Sequence, residues 1–116
     1  MTITMPRGDI RDVRFTVYEP SGEISEIDFD EIYFTVKRRA GDANYLFQRR
    51  LTTGGVIKIE TGVYQFTIAA ADTDDLDTGQ YVFDIEICLG TAVKQTTVGT
   101  LELTPEVTHA CNEGDA

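Results

Sequence analysis

Large apolar residues recur at every second position over several short stretches of this chain. Val13, Phe15 and Val17 alternate with Arg14, Thr16 and Tyr18, and Ile32, Phe34 and Val36 alternate with Tyr33, Thr35 and Lys37. The same rhythm appears at Tyr64, Phe66 and Ile68, and again at Tyr81, Phe83, Ile85 and Ile87. Successive side chains of a strand point to opposite faces, so each set lines one face of a half-buried strand. No segment carries a sustained apolar stripe at helical spacing. Turn signals fall at Ser21-Gly22, Gly41-Asp42, Gly54-Gly55, Thr61-Gly62, Thr78-Gly79 and Gly90-Thr91. Short strands punctuated this often predict an all-β sandwich or barrel.

Taking Thr61-Gly62 as a two-residue turn sets a register on paper. Glu60 then faces Val63, Ile59 faces Tyr64, Lys58 faces Gln65 and Ile57 faces Phe66. That register puts Ile57 and Ile59 on the buried face with Tyr64 and Phe66. The last strand is less regular. Alternation is weak from Val93 to Val98, and Gly99 interrupts before Leu101 and Leu103, which a bulge at Gly99 would explain. The expected core comprises Phe15, Val17, Phe34, Val36, Ile57, Ile59, Tyr64, Phe66, Tyr81, Phe83 and Ile85.

One local feature narrows the sandwich type. In immunoglobulin-type folds a tyrosine near the start of strand F lies two residues before an inward-facing core position, and its hydroxyl bonds back to the backbone across the E–F corner. The run Asp77-Thr78-Gly79-Gln80-Tyr81-Val82-Phe83 has this shape, which makes Tyr81 a candidate tyrosine corner. The alternative is a β-turn followed by an ordinary strand tyrosine. The expected fold is therefore an antiparallel immunoglobulin-like β-sandwich of seven to nine strands, with one domain over residues 1–108 and a tail, 109–116, expected to fray.

Composition agrees with one globular domain and removes several functions. The chain has 116 residues, 41% of them hydrophobic, which is enough for one core. Its net charge is −10, from 10 Lys plus Arg against 20 Asp plus Glu. That balance argues against nucleic acid and against an anionic membrane surface as partners. No stretch reaches the roughly 18 apolar residues of a spanning helix, and the N-terminal segment has no apolar signal region. Met1 is read as the start of a cytoplasmic reading frame.

Charge is unevenly placed. Lys37, Arg38, Arg39, Arg49 and Arg50 stand against Asp42 alone, whereas residues 19–31 carry Glu19, Glu23, Glu26, Asp28, Asp30 and Glu31 with no cation. The five cations form a candidate docking surface for copies or partners, to be weighed against a solvated hairpin tip. A contact of that kind between copies should weaken in high salt.

Catalytic and metal signals are thin. His109 is the single histidine, and Ser21 and Ser25 are the only serines. The cluster Asp72, Asp74, Asp75 and Asp77 offers carboxylates for Ca²⁺, but the EF-hand spacing fails at Asp77 and Phe83, and a loop in which Asp72 or Asp74 caps one helical turn explains it better. His109, Cys111 and Cys88 make too few ligands for structural zinc, and the two cysteines are read as free thiols. Arg7-Gly8-Asp9 spells an integrin-binding tripeptide, though Gly8 more simply permits a tight turn. No cofactor or metal is expected, and no enzymatic reaction.

A wider pattern resembles a known family. It consists of Ile3-Thr4-Met5-Pro6-Arg7-Gly8-Asp9, then Ile32-Tyr33-Phe34-Thr35-Val36-Lys37, then Asp72-Thr73 with Leu76, Gly79, Tyr81, Phe83, Asp84 and Ile85, and finally Gly99, Leu101, Leu103, Val107 and Thr108. This resembles the N-terminal immunoglobulin-like domain of phage baseplate upper proteins and small tail-associated proteins of phages and prophages. The resemblance implies a non-enzymatic virion structural or assembly module of tail, baseplate or head. Its partners would be other phage structural proteins or copies of itself, first in the host cytoplasm and then in the particle. Longer family members continue into helices and a portion holding the receptor-binding protein, so that attachment is not carried over. The alternative is a carbohydrate- or surface-binding module, for which Tyr18, Tyr33 and Tyr45 are the outward aromatic candidates.

Overall fold

The structure is a computed structural model that describes residues 1–106. Val107 and Thr108 of the family pattern, the expected frayed tail, and the readings placed on His109 and Cys111 lie outside the described residues. Eight strands and one short helix follow in chain order: β1 (Thr2–Pro6), β2 (Arg11–Thr16), β3 (Glu31–Lys37), β4 (Phe47–Arg50), β5 (Val56–Glu60), β6 (Val63–Ile68), α1 (Ala70–Thr73), β7 (Gly79–Leu89) and β8 (Ala92–Thr104). They form two sheets, β1-β8-β7-β3-β4 and β2-β6-β5. The chain is all-β, and the strand order is that of an immunoglobulin-like sandwich: β3, β7 and β8 occupy the places of strands C, F and G, and β2, β6 and β5 those of B, E and D. One pairing departs from the antiparallel expectation. β1 runs parallel to β8, Ile3 beside Leu101 and Met5 beside Leu103, and so extends the larger sheet rather than the smaller.

The inner faces meet through aromatic rings. Phe34 of β3 stacks on Phe66 of β6 with centroids 3.8 Å apart, joining the two sheets, and Phe83 and Phe47 pack on Phe34 at 5.4 and 6.1 Å. Antibody domains fasten the same region with a disulfide against a tryptophan; here ring packing fills the space between the sheets. Ile3, Met5, Ile32, Ile68, Ile87, Leu101 and Leu103 complete the buried layer.

Two expected core residues are not in it. Ile57 and Ile59 are exposed, and Val56 is buried instead. Glu60 does face Val63, but the register shifts between Lys58 and Glu60, so that Lys58 pairs with Tyr64, Ile57 with Gln65 and Val56 with Phe66. One extra residue at Ile59 turns every side chain beyond it to the opposite face. Phe15 is half-buried, stacked on Tyr64 at 5.8 Å.

The last hairpin also differs. Gly99 pairs regularly with Phe83, and the register shift lies between Ile87 and Cys88. Gly99 answers a different need: a Cβ there would lie 2.4 Å from Phe83 Cζ and 2.5 Å from the Met1 carbonyl oxygen. The strand needs a glycine because the Phe83 ring and the N-terminal strand cover it. Gly62, at φ +76°, meets a conformational and a steric demand together, since a Cβ would lie 2.4 Å from Ile24 Cγ2.

Candidate docking surface

The five cations read as one surface divide into two groups with different jobs. β4 is an edge strand whose successive residues point to opposite faces, so Arg49 and Arg50 diverge. Arg49 turns toward the smaller sheet. Its guanidinium donates to the Thr67 carbonyl at 3.2 Å, pairs with the Asp72 carboxylate and lies 5.5 Å from the Phe47 ring centroid. Arg50 lies on the outer face of the larger sheet, where it donates to Glu31 Oε2 through Nε at 3.1 Å and Nη2 at 2.9 Å, with its guanidinium 5.0 Å from the centroid of Tyr33. Both arginines are engaged within the fold, and the Arg50 side chain stays 43% exposed.

The Glu31 site that holds Arg50 is densely bonded. Its Oε1 accepts the amides of Ile32 at 3.1 Å and Thr52 at 3.0 Å, and its Oε2 accepts the Thr52 hydroxyl at 2.5 Å. Burial pushes the carboxyl upward, but the hydrogen bonds from Thr52, Arg50 and Ile32 outweigh it and hold the pKa at about 2. This network ties the β4–β5 connection to the start of β3. It is structural rather than a free binding group.

Lys37, Arg38 and Arg39 remain at the end of β3. Lys37 Nζ donates to the Asp42 carbonyl at 2.8 Å, and Asp42 Oδ2 accepts the Arg39 amide at 3.2 Å, so Asp42 braces the loop that follows. The Arg38 guanidinium lies 5.9 Å from the Tyr81 ring centroid. Among the described residues neither Arg38 nor Arg39 has a carboxylate ion-pair partner. Tyr45 stands exposed in the same loop.

Tyr81 itself is buried, and its hydroxyl donates to the Asp77 carbonyl at 2.6 Å. That is the bond of a tyrosine corner, spanning the connection between β6 and β7. The acidic residues of this connection do not converge. Asp72 is held by Arg49 and accepts the Ala69 amide at 2.7 Å, so it reaches back to cap the single turn of α1. Among the described residues no three His, Cys, Asp or Glu side chains are placed to hold a metal. The Arg7-Gly8-Asp9 turn is tied inward: Arg7 donates to the Leu76 carbonyl, and the Gly8 amide donates to the Thr73 hydroxyl at 2.8 Å. The two serines also serve the backbone, Ser21 accepting the Glu23 amide and Ser25 the Ile27 amide.

The opposite end of the molecule carries the feature that sequence reasoning missed. A cleft of about 520 Å³ opens between the β2–β3 connection and the start of β8. Val17, Ile27, Phe29 and Ile87 give it apolar walls, and Tyr18, Glu19 and Lys94 stand at its rim. Nothing in the linear pattern announces it, because its walls come from three segments and the Ile27–Phe29 stretch is neither strand nor helix. Of the acidic run, Glu19 alone lines it. Asp28 pairs with Lys58 and Asp30 accepts the Gly90 amide, whereas Glu19, Glu23 and Glu26 form no ion pair among the described residues.

Of the three tyrosines expected to point outward, Tyr18 and Tyr45 are exposed, at opposite ends of the sandwich, and Tyr33 is half-buried beneath Arg50. Compared with models of known protein families and with curated proteins, the chain matches none.

Proposed function

We propose that this protein is a non-enzymatic structural or assembly module of a phage or prophage particle, acting through contacts with other particle proteins or with copies of itself. The observation that carries the reading is the presence of two unlike exposed surfaces at opposite ends of one rigid sandwich. One end has the apolar cleft with Tyr18, Glu19 and Lys94 at its rim; the other has the braced loop with Arg38, Arg39 and Tyr45. A domain with a different surface at each end suits a place between two neighbours. The phage setting rests on the sequence resemblance, in a fold of the type that resemblance implies. The carbohydrate reading is weaker on this geometry, because its aromatic candidates do not share one platform.

The test is a pull-down with the tagged chain from the cells that carry its gene, after prophage induction, with mass spectrometry of the bound proteins. The reading predicts recovery of tail, baseplate or capsid proteins. Recovery of envelope or glycan-bearing material alone contradicts it.

A further inference from the structure

The open edge of the smaller sheet is complementary to itself. We infer that β2 of one copy pairs antiparallel with β2 of a second copy, joining two smaller sheets into one across a two-fold axis at Val13. This contact deepens the assembly reading and rests on it for its biological setting.

Four strands lie at sheet edges: β1, β4, β2 and β5. Three of them carry a feature that discourages pairing with another chain. β4 has only four residues, β1 has five and ends in Pro6, and β5 is bulged between Lys58 and Glu60. β2 has six residues, no Pro or Gly, and an unbroken register against β6 from Arg11 to Thr16.

Backbone geometry shows which groups of β2 face outward. The Val17 amide donates to the Gly62 carbonyl at 2.8 Å, one pair beyond Thr16 and Val63. Bonding alternates along an antiparallel ladder, so Val13 and Phe15 also bond toward β6. The amide and carbonyl groups of Asp12, Arg14 and Thr16 then point away from β6, and among the described residues no other segment bonds to them.

A second β2 satisfies these groups only where outward residues meet outward residues. Charge selects among the registers that allow this. Asp12 and Arg14 are both exposed and share the outer face of the sheet. Asp12 accepts the Thr67 hydroxyl at 2.6 Å, and Arg14 donates to Gln65 Oε1 at 3.0 Å. Both partners are neutral, so neither charge has a counter-ion among the described residues. With the axis at Val13, Asp12 lies opposite Arg14 of the other copy, and Arg14 opposite its Asp12. Sliding by one bonding step opposes Asp12 to Asp12 in one direction and Arg14 to Arg14 in the other. Like charges directly opposite are destabilising. The favoured register also sets Val13 against Val13, and the exposed Ile10 against Thr16.

Charges that merely blunt an edge repel a second copy. Asp12 and Arg14 alternate instead, so the strand attracts its own image. Residues 10–16 carry Arg11 and Arg14 against Asp12, so the seam is not acidic although the chain has a net charge of −10. At about 0.15 M salt the Debye length is ~8 Å, so charges far from the seam are largely screened and the direct pairs decide.

Sedimentation velocity of the purified full chain at about 0.15 M salt tests this. The wild type should form a dimer as the concentration rises toward millimolar, and no larger species, because a contact between like surfaces closes on two. Asp12→Arg alone and Arg14→Asp alone set like charges opposite each other, and each should weaken the dimer by about tenfold or more. The double variant Asp12→Arg with Arg14→Asp exchanges the signs and should restore the dimer. The two single variants mixed one to one should form a heterodimer. Both positions are exposed, so the fold is kept. Hydrogen exchange reads the backbone directly: the Asp12, Arg14 and Thr16 amides should gain protection as the dimer forms. A wild type that stays monomeric overturns the inference, as does a dimer that both single variants leave unchanged, a double variant that stays monomeric, or a dimer in which those three amides stay unprotected. None of these outcomes decides whether the chain sits in a particle, so a failed contact and a failed assembly reading are distinguishable.

Discussion

At the scale of single residues, one buried tyrosine closes a local corner: the Tyr81 hydroxyl donates to the Asp77 carbonyl four residues away. Removing that hydroxyl leaves a part-buried carbonyl without its partner, so Tyr81→Phe should lower stability by about 1–2 kcal/mol in urea unfolding. The ion pairs of Arg49 and Arg50 were not legible, because their partners, Asp72 and Glu31, lie 23 and 19 residues away. A run of cations looks the same in sequence whether it faces solvent or is spent inside. Glu31 gives that difference a measurable pH dependence. Its carboxyl titrates at about 2 in the fold, down from a reference value of 4.5, so the unfolded chain takes up the proton first. The stability it contributes is complete above pH 4.5 and is lost as the pH falls toward about 2. In Glu31→Gln this part of the acid slope of the urea midpoint should be missing, and a variant with the wild-type slope contradicts the assignment.

At the scale of elements, alternation located β3, β6 and β7, since a large apolar residue fills every buried position of each except Glu31 at the start of β3. It failed on β5, where both alternating sets are candidates for the inner face. The sequence Val56-Ile57-Lys58-Ile59-Glu60 favours Ile57 and Ile59 on hydrophobicity alone, but the extra residue at Ile59 reverses the choice. β5 is an edge strand of the smaller sheet. A bulge and an inward-pointing lysine are two devices that stop an edge from pairing with another chain, and β5 has both, with Lys58 facing the Tyr64 side and paired with Asp28. That ion pair is exposed and contributes little to folding. Lys58→Val should therefore change stability by less than about 1 kcal/mol while raising aggregation, measured by light scattering on concentration. Equal scattering from both proteins would show that the bulge alone protects the edge. The cleft was illegible at this scale for a related reason: Ile27 and Phe29 belong to an irregular connection, and no periodicity marks such residues as walls.

At the scale of the whole molecule, one aromatic layer holds the sheets together and the two ends carry unlike surfaces. Phe83 touches Phe34, which stacks across to Phe66, and its ring also covers Gly99. Phe83→Ala should cost about 3–5 kcal/mol in denaturant unfolding, and a loss below about 1 kcal/mol would remove Phe83 from the core. Such a core fixes the distance and orientation between the apolar cleft and the Tyr45 loop, and that separation is what the assembly reading uses. The fold class followed from alternation and turns. The function did not, because contact surfaces are set by three-dimensional charge and shape that a one-dimensional pattern leaves open. The most direct test of the central claim is quantitative mass spectrometry of purified, salt-washed particles induced from the cells that carry the gene. The account predicts this chain at a fixed copy number relative to the particle's tail or head proteins. Its presence in the cells but absence from the particles would contradict the account.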